Sequence, residues 1–364
     1  MNERDELNLL LIGPQLRKDE SNLGGATVLF MELVNHIHSR HIKHNIVNTQ
    51  KFNAFASPFR NWIHVVFQTI RLIPQHRVVF LNVSQNGFIF LCPVTFILCR
   101  IFGKKLVIRP FGGWLLDIFR QAGTFKRFVI LQTVLNADLL YLETQRLVEY
   151  FSLFCSNVRQ LVNSRPTKYN QLPVSNYRKR FIYIGHIKRT KGILELLEAQ
   201  RRLEGKVQID LYGPILDKEL DFIIEHPNYK GALNRDQISK ILKDYDVLVL
   251  PTYYHGEGYP GVIVEAYACG LPVITTQWKS IPEMVIQDNT GYLIQPKSVE
   301  DIVNAISGIN DENYRKLSEN AFFYFNQHLK SDVVLDQVIT DLLRISYVTP
   351  QVGSLSSYNS IRYE

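Results

Sequence analysis

Cysteine is scarce in this chain of 364 residues, which contains four cysteines and no Cys-x-x-Cys pair. Neither a zinc site nor a disulfide framework is therefore expected, and scattered thiols of this kind are typical of a reducing cytoplasm. A Gly-x-Gly-x-x-Gly run after the first apolar segment is also absent, which argues against a nicotinamide oxidoreductase. No Asp-x-Asp pair follows a predicted strand, so we expect neither a metal nor another cofactor.

Long hydrophobic runs are missing as well. The most apolar stretch, residues 88–102, is interrupted by Pro93 and carries Arg100, and it falls short of the roughly 20 apolar residues that span a bilayer. We expect a buried helix there, which could also contact a membrane interface. Residues 1–6 are polar and acidic, unlike a signal peptide. The sequence thus predicts a cytoplasmic protein that could attach peripherally to the inner face of the cell membrane.

Acidic residues are few in the first half of the chain. Residues 1–170 hold 20 Lys and Arg against 10 Asp and Glu, whereas residues 171–364 hold 21 against 24. This asymmetry indicates an anionic partner for the first half: nucleic acid, an anionic membrane surface or a phosphorylated substrate, with a plain basic surface as the alternative. Nucleic acid is the weakest candidate, because the basic residues belong to no recognisable nucleic-acid-binding module.

Short β-branched and aliphatic runs alternate with amphipathic segments along the chain, a pattern typical of parallel sheets covered by helices. The pattern lapses once, in a stretch with two prolines, and the length suits two domains. We therefore predict an α/β protein with two Rossmann-like, doubly wound domains that face a cleft. The predicted divisions are a first domain at 1–165, a linker at 166–180, a second domain at 181–345 and a tail at 346–364.

The strongest motif joins a predicted strand, which ends at Pro251, to a helix that begins near Gly261. The free N–H groups and positive dipole end of a helix amino terminus bind phosphate, and small Gly258 and Gly261 would let a diphosphate approach the backbone. Glu257 lies in the loop, where its carboxylate can accept hydrogen bonds from sugar hydroxyls. Glu265 lies one turn into the helix and can hold a ribose diol.

This segment resembles the signature of retaining glycosyltransferase family 4, which has the GT-B fold and places two glutamates eight positions apart. The flanking residues are similar too, with Asp-Val-Leu-Val-Leu-Pro at 246–251 and Gly-Leu-Pro-Val-Ile-Thr at 270–275. The resemblance covers most of 180–345 and the first domain in outline. It implies that the first domain binds an acceptor and the second a nucleotide sugar, and we add Tyr259 and Val262, beside the helix start, to the donor-binding residues.

A second segment, Gly-His-Ile-Lys-Arg-Thr-Lys-Gly from residue 185, also resembles the family, whose members clamp the donor diphosphate with an Arg and a Lys at its two ends. Lys191 and the final glycine match this pattern. His186 stands where the Arg is expected, and the two side chains differ in charge at neutral pH. Lys188 or Arg189 could supply the missing positive charge.

Three glycine-containing segments complete the predicted donor site. Gly24 and Gly25 open a helix after the first strand, where relatives approach the donor phosphates from the amino-terminal domain. Gly213, Gly231 and Leu233 lie in loops that border the nucleobase in relatives. Tight turns and ordinary packing are the alternatives for these residues.

The loop after the strand predicted at 106–109 departs from the family's pattern. Many members carry a histidine there, near the reacting sugar, and this chain has none. Arg109 could instead stabilise the departing diphosphate, and Asp117 could help to place the acceptor. The predicted catalytic residues are therefore Glu257, Lys191 and Arg109.

These features predict a metal-independent hexosyltransferase that moves a sugar from a nucleotide-sugar donor to a glycan or a lipid-linked acceptor. The family resemblance implies that transfer retains the anomeric configuration. Lys191 and the helix start at Gly261 would stabilise the charge that develops on the leaving diphosphate. The expected setting is the assembly of a bacterial surface polysaccharide, such as lipopolysaccharide O-antigen, capsule or exopolysaccharide. The alternatives are a GT-B sugar-nucleotide-binding protein with weak or no turnover, and a nucleotide-sugar epimerase on the same architecture.

Overall fold

The structure is a computed structural model, and it describes residues 7–15, 24–50, 58–166 and 176–347. Most of the predicted linker and of the predicted tail lies outside the described residues. Within them the chain forms two units, each with a parallel sheet and flanking helices. The predicted α/β class with two doubly wound domains is confirmed.

The amino-terminal unit is built on a sheet of six strands within the described residues. These strands are β1 (Asn8–Gly13), β2 (Lys43–Asn48), β3 (Val78–Val83), β4 (Lys105–Pro110), β5 (Leu139–Leu142) and β6 (Val158–Gln160). The helices are α1 (Gly25–Ser39), α2 (Pro58–Leu72), α3 (Gln85–Ile101), α4 (Leu115–Gln121), α5 (Thr124–Thr133) and α6 (Gln145–Ser152). The strands pair in parallel in the order β2-β1-β3-β4-β5-β6. β3 is buried along its length and apolar except for Asn82, as expected where helices cover both faces of a sheet.

The carboxy-terminal unit repeats this plan with five strands in the part of the chain that is described. These strands are β7 (Arg180–Ile184), β8 (Gln208–Tyr212), β9 (Val247–Leu250), β10 (Val273–Thr276) and β11 (Gly291–Ile294). The helices are α7 (Ile193–Arg202), α8 (Arg235–Ile241), α9 (Gly261–Ala268), α10 (Val299–Ser307), α11 (Asp311–Tyr324) and α12 (Ser331–Tyr347). The strands pair in parallel in the order β11-β10-β9-β7-β8.

Both sheets contain a switch point, where the chain turns from one side of a strand to the other. β7 lies between β8 and β9, and β1 lies between β2 and β3. Ligands of doubly wound sheets bind in the crevice beyond the carboxyl ends of the strands at such points. The loops that carry Lys191 and Glu257 follow β7 and β9, and the pair Gly24 and Gly25 follows β1. The topology therefore gathers the three predicted donor segments at switch points.

The last helix, α12, returns to the amino-terminal unit. Its buried apolar side chains join the core cluster that contains β1 and α1, and they are Leu335, Val338, Ile339 and Leu342. Tyr141 of β5 donates a hydrogen bond to the carboxylate of Asp341 at 2.7 Å, and Arg159 of β6 forms an ion pair with the same group. A helix that lies mostly inside 181–345 therefore stabilises the first unit, while the domain boundaries stay a prediction.

The apolar stretch at 88–102 forms most of α3, but its burial differs from the expectation. Phe88 and Cys92 are buried, whereas Phe90 and Ile97 are 68% and 53% exposed. A helix that packs on a sheet buries one face, and in α3 the apolar residues continue onto the opposite face. Of the helices in the described part of the chain, none has the length and apolar character that a membrane span requires.

Candidate functional site

Lys191 and Glu257 form an ion pair at the carboxyl edge of the second sheet. Gly192 allows this contact, because its φ of +75° is left-handed backbone and a Cβ there would lie 2.2 Å from the carbonyl oxygen of Pro251. Glycine thus lets the Lys191 loop pack directly on the end of β9. Thr252 donates a hydrogen bond from Oγ1 to the Glu257 carboxylate at 2.8 Å. The predicted diphosphate clamp and the predicted sugar-binding carboxylate are therefore brought together.

A cavity of about 410 Å³ opens beside this ion pair, a volume within the range of about 300–1,000 Å³ that is usual for ligand pockets. Of the residues predicted to bind the donor, those that line it are Gly25, His186, Lys191, Gly213, Leu233, Glu257, Gly261, Val262 and Glu265. The wall residues that the sequence analysis did not assign to the site are Ile184, Gly185, Tyr212, Pro214, Ile238, Leu250 and Pro260. Both units contribute to the wall.

Gly261 and Val262 of the first turn of α9, and Glu265 of the next turn, contribute to the cavity wall. The first N–H groups of a helix have no carbonyl partner within the helix, and they carry its positive partial charge. Glu265 accepts a hydrogen bond on Oε1 from Nε of Arg165 at 2.8 Å. This wall therefore presents backbone donors and a carboxylate held by a guanidinium.

Gly213 and Gly231 shape the part of the wall that was predicted to border a nucleobase. The Gly213 N–H donates to the carbonyl of Gly231 at 2.9 Å, and the Tyr229 hydroxyl donates to the carbonyl of Gly213 at 3.0 Å. A Cβ on Gly213 would lie 1.8 Å from the Gly185 carbonyl oxygen, so a side chain cannot be accommodated there. The larger cavity-lining side chains that flank these glycines are Tyr212, Pro214, Leu233 and Ile238. A planar base would meet a mostly apolar surface.

His186 lines the cavity where the resemblance implies an arginine. Burial lowers its pKa, and the neighbouring Lys191 and Lys188 lower it further. The imidazole is therefore largely neutral at pH 7. Arg189 does not compensate, because it forms an exposed ion pair with Glu219 at 3.6 Å. At neutral pH, His186 therefore does not replace the positive charge of the family's arginine. Lys191 is positively charged, and it is paired with Glu257.

Four predicted donor residues do not line the cavity, namely Gly24, Gly231, Gly258 and Tyr259. Gly24 is the exposed residue before α1. Gly258 packs against the amino-terminal unit, since a Cβ there would lie 2.7 Å from the backbone nitrogen of Gly113. Tyr259 is 5% exposed and lines a second cavity, and its carbonyl accepts a hydrogen bond from Asn163 at 2.6 Å. Gly258 and Tyr259 therefore join the loop to residues of the first unit.

Arg109 is 2% exposed on β4 and is not part of the cavity wall. Burial lowers its pKa to about 10, and the neighbouring Glu143 opposes that shift. Glu143 is also buried, and burial raises the pKa of its carboxyl against the effects of Arg109 and the Gly112 N–H. Arg109 is therefore buried among charged groups that include Glu143, Glu32 and Arg165. Its role at the leaving diphosphate stays a prediction that this placement does not support.

Asp117, at the start of α4, contacts the carboxy-terminal unit. Its carboxylate lies 3.4 Å from Nζ of Lys279 and 3.7 Å from Nδ1 of His255. Lys279 also donates a hydrogen bond to the carbonyl of His255. The acidic side chain that was predicted to place an acceptor therefore bridges the two units.

Comparison with known proteins identifies the second unit. Residues 164–322 match the family described as Glycosyl transferases group 1. These residues form a glycosyltransferase group 1 domain. The capsular polysaccharide biosynthesis glycosyltransferase CapM of Staphylococcus aureus is 28% identical over 164 residues, which are 42% of this chain and 42% of CapM. The putative colanic acid biosynthesis glycosyltransferase WcaL of Escherichia coli K12 is 26% identical over 163 residues, 40% of this chain and 38% of WcaL.

The chain spans about two fifths of the length of these curated relatives. Likeness in structure extends further. The crystal structure of Alr3699/HepE of Anabaena in complex with UDP superposes with a TM-score of 0.71 and 16% identity, covering 92% of this chain and 99% of that one. At this identity the likeness shows the fold alone, and the fold is GT-B. The glycosyltransferase domain and the GT-B architecture that the resemblance implied are both confirmed.

Proposed function

We propose that this protein is a retaining glycosyltransferase that moves a sugar from a nucleotide-sugar donor to a glycan or a lipid-linked acceptor. One observation carries the proposal. A single cavity holds in its wall Lys191, Glu257, Glu265 and the amino terminus of α9, which are the groups that a diphosphate, a sugar and a ribose require. A hexose is the sugar class we propose for the donor.

The donor would lie along the wall with its base against the apolar end and its ribose diol at Glu265. The diphosphate would then reach the first turn of α9 and Lys191, and the sugar would reach Glu257. Transfer breaks the bond between the anomeric carbon and the diphosphate, so negative charge grows on the leaving group. Fixed donors that point at this charge lower the barrier, because they need no rearrangement during the reaction. Thr252 and Lys191 together hold the Glu257 carboxylate in place.

The relatives support a role in the assembly of a bacterial surface polysaccharide. The names of CapM and WcaL refer to capsular polysaccharide and colanic acid biosynthesis. The Anabaena structure contains UDP, which makes UDP the first nucleotide to test. We propose the same broad setting for this chain, with the donor at the carboxy-terminal unit and the acceptor at the amino-terminal unit.

The experiment has two steps, nucleotide binding and then transfer. Ligands that bind only the folded protein raise its melting temperature, so a thermal-shift screen over UDP-, GDP-, ADP- and CDP-sugars selects the donor. Donor consumption is then measured for the wild type and for Glu257→Ala, which we expect to lose at least about 100-fold in rate. Glu300→Ala is the matched control, because its side chain is 67% exposed against 11% for Glu257. Equal rates for both variants would refute the proposal.

We also propose that transfer needs no metal ion. Lys191 and the backbone N–H groups of α9 already offer positive charge to the diphosphate. The rate should therefore be unchanged when EDTA is added in excess and when Mg²⁺ is supplied afterwards. A rate that EDTA abolishes and Mg²⁺ restores would contradict this part alone.

A sugar-nucleotide-binding protein with weak turnover is the second candidate, and two observations favour it. His186 is largely neutral where the resemblance implies an arginine, and Arg109 is buried and does not line the cavity. Such a protein would show a thermal shift with a nucleotide sugar and no difference in donor consumption between the wild type and Glu257→Ala. The two steps of the experiment therefore separate the candidates.

The amino-terminal unit exposes an apolar face on three helices, with α3 in contact with both α2 and α5. The large apolar side chains of this α2/α3/α5 face are at least 36% exposed, and they are Ile63, Phe67, Ile70, Ile89, Phe90, Val94, Ile97, Ile101, Phe125 and Phe128. On α3 the spacing of Phe90, Val94, Ile97 and Ile101 aligns them along one side of the helix. Extended apolar surface of this kind marks an interaction site.

The charge around the α2/α3/α5 face is of one sign. The sequence has no Asp or Glu at 33–116 or at 118–137, so the three helices carry no acidic residue. Basic residues accompany them, including Arg71 of α2 and Lys126 of α5. Apolar side chains together with basic ones fit the headgroup region of an anionic bilayer. We therefore propose that this face attaches the protein peripherally to the inner face of the cell membrane, where a lipid-linked acceptor would be presented.

Vesicle flotation tests the attachment. Wild-type protein should float with vesicles that contain phosphatidylglycerol and remain behind with pure phosphatidylcholine. Binding should be lost in a triple variant of the face, Phe90→Asn, Ile97→Asn and Phe128→Asn. It should survive a control with similarly exposed apolar residues of the other unit, Phe222→Asn, Ile224→Asn and Phe323→Asn. The opposing result is a wild type that binds no vesicles and forms a dimer that is lost in the triple variant of the face. That outcome would show that the face is a protein interface.

A further inference from the structure

Arg165 lies where two segments of the chain run side by side between the units. Its backbone N–H donates to the carbonyl of Leu329 at 3.1 Å, and its carbonyl accepts from the N–H of Ser331 at 2.9 Å. The first segment leaves the amino-terminal unit after β6, and the second leads back to it through α12. The position of Arg165 is therefore fixed by the backbone at the crossing between the units, and no sequence motif pointed to it.

The side chain of Arg165 extends from this crossing to Glu265 and Gly261, which line the cavity. It is 11% exposed, and its Nε donates to Oε1 of Glu265 at 2.8 Å. Nη1 donates to the carbonyl of Ser164 at 2.9 Å. A Cβ on Gly261 would lie 2.3 Å from Nη2, so the guanidinium packs directly against the first residue of α9. Only a small residue at 261 leaves room for this contact.

Glu32 of α1 lies in the same group of charges. It is buried, and burial raises the pKa of its carboxyl while Arg165 and Arg235 lower it. Arg235 of α8 donates to Oε1 of Glu32 at 2.5 Å. Charges of alternating sign therefore lie next to one another: Arg235 on the carboxy-terminal unit, Glu32 on the amino-terminal unit, Arg165 at the crossing and Glu265 in the cavity wall.

We propose that Arg165 is a positioning residue that fixes the Glu265 carboxylate for the ribose diol of the donor. A carboxylate that accepts hydrogen bonds from two hydroxyls must be ionised and held in one orientation. An arginine suits this task, because its guanidinium is always charged and its planar fork restricts the geometry. Arg165 does not touch the reacting atoms. This inference rests on the proposed function, since it assumes that a nucleotide occupies the cavity.

The test compares ribonucleotides with their 2′-deoxy counterparts. Affinities of UDP, 2′-deoxy-UDP, GDP and 2′-deoxy-GDP are measured by calorimetry for the wild type and for Arg165→Met. Whichever of UDP and GDP binds, the wild type should bind the ribonucleotide about tenfold or more tightly than its 2′-deoxy counterpart. This is the usual effect of hydrogen bonds to a charged group. Arg165→Met should reduce the preference to within about twofold, mainly by weakening the ribonucleotide. A variant that keeps the wild-type preference would overturn the inference, whatever its melting temperature.

Arg178→Met is the matched control. Arg178 donates from Nε to the buried carboxylate of Asp246 at 2.9 Å, almost the same contact in a different place. Asp246 precedes β9 at its amino end, away from the cavity. We expect this control to lower the melting temperature and to keep the full preference for the ribonucleotide. If Arg178→Met loses the preference as Arg165→Met does, a general loss of stability explains both results. That outcome would overturn the inference.

Arg165→Lys provides a second variant in case the methionine variant does not fold. Lysine keeps the charge but has no Nε–H in a planar fork, so we expect a preference between those of the wild type and Arg165→Met. A soluble lysine variant with the full wild-type preference would overturn positioning by the fork. A wild type that binds neither UDP nor GDP overturns the inference, and it overturns the proposed function too if the nucleotide-sugar screen is also negative. A wild type that binds ribo- and deoxynucleotides equally well overturns the inference alone.

Discussion

The two units share one architecture, but they differ in what they offer to a ligand. In the carboxy-terminal unit the polar groups converge on one cavity, and its lining includes Lys191, Glu257 and Glu265. The amino-terminal unit contributes Gly25 to that wall and instead spreads apolar and basic side chains over the α2/α3/α5 face. A site for a small, charged donor needs a few groups at fixed positions, whereas attachment to a surface needs area and a net sign of charge.

This difference separates two kinds of sequence information. The groups that we propose for donor binding are encoded in short segments that each follow one strand, so a few neighbouring residues carry the signal. The α2/α3/α5 face is encoded in composition, through the missing acidic residues at 33–116 and 118–137 and the excess of apolar ones. Variants of the two units should therefore affect different measurements.

The largest effect is expected for Lys191→Met, which removes a cation from the donor cavity. We expect the turnover number to fall by about 100- to 1,000-fold, because the leaving diphosphate loses a fixed charge, while vesicle binding is unchanged. Initial rates at saturating donor measure this. Lys188→Met is the control, since both ammonium groups lie near the Tyr254 ring, at 5.6 Å for Lys188 and 5.2 Å for Lys191. Similar losses in both variants would show that the loop acts through its total charge.

Gly192→Ala tests whether the Lys191 loop depends on close packing against β9. A Cβ at 192 would lie 2.2 Å from the Pro251 carbonyl oxygen at a φ of +75°, whereas Gly205 has a φ of +73° and open space around it. Gly205→Ala is therefore the control, since a positive φ costs about 1–2 kcal/mol in either alanine variant. Gly192→Ala should lose at least about 2 kcal/mol more in free energy of unfolding, measured with urea. Equal losses would mean that the loop moves without cost.

Neutralising basic residues of the amino-terminal unit should affect membrane binding and leave transfer unchanged. In Arg71→Gln with Lys126→Gln, each substitution should weaken binding to anionic vesicles by about 1 kcal/mol, or about fivefold. The difference from wild type should shrink as salt increases, because screening weakens the attraction. Lys218→Gln with Lys316→Gln, on the carboxy-terminal unit, is the control for net charge. Equal weakening of vesicle binding by both double variants would show that net charge, and not the amino-terminal unit, determines binding.

The smallest effect concerns pH and His186. Its pKa is lowered by burial, so the neutral form stabilises the folded state above the ordinary value of about 6.5, and this contribution is lost as the pH falls through the lowered pKa. Protonation also adds a positive charge to the cavity, so a nucleotide sugar should bind several-fold more tightly at about pH 5.5 than at pH 7.5. His186→Arg should bind tightly at both pH values, as measured by calorimetry. His186→Gln should bind without this pH dependence. A wild-type affinity that is the same at both pH values would contradict the role of His186.

Most of the cavity could be predicted from sequence because its parts are local. Strand β9 ends at Leu250 and α9 begins at Gly261, so the loop between them carries Glu257 as the motif indicated. Ile238 and Pro214 could not be assigned, because an apolar residue gives no sign of whether it packs in a core or lines a cavity. Arg109 shows the converse case, since a basic residue after an apolar run was expected at the cleft, and it is buried and does not line the cavity. Its catalytic role stays a prediction.

The sequence by itself determined the alternation of strands and helices, the two-unit GT-B plan, the loops that carry Lys191 and Glu257, and the helix that carries Glu265. These features depend on hydrophobic periodicity and on glycines within a few positions of one another. The tertiary structure alone decided that α12 packs on the first unit, that one side of α3 stays exposed and that Arg165 reaches Glu265 across 100 positions of sequence. Such outcomes depend on which surfaces meet when distant segments pack, and no local pattern records that.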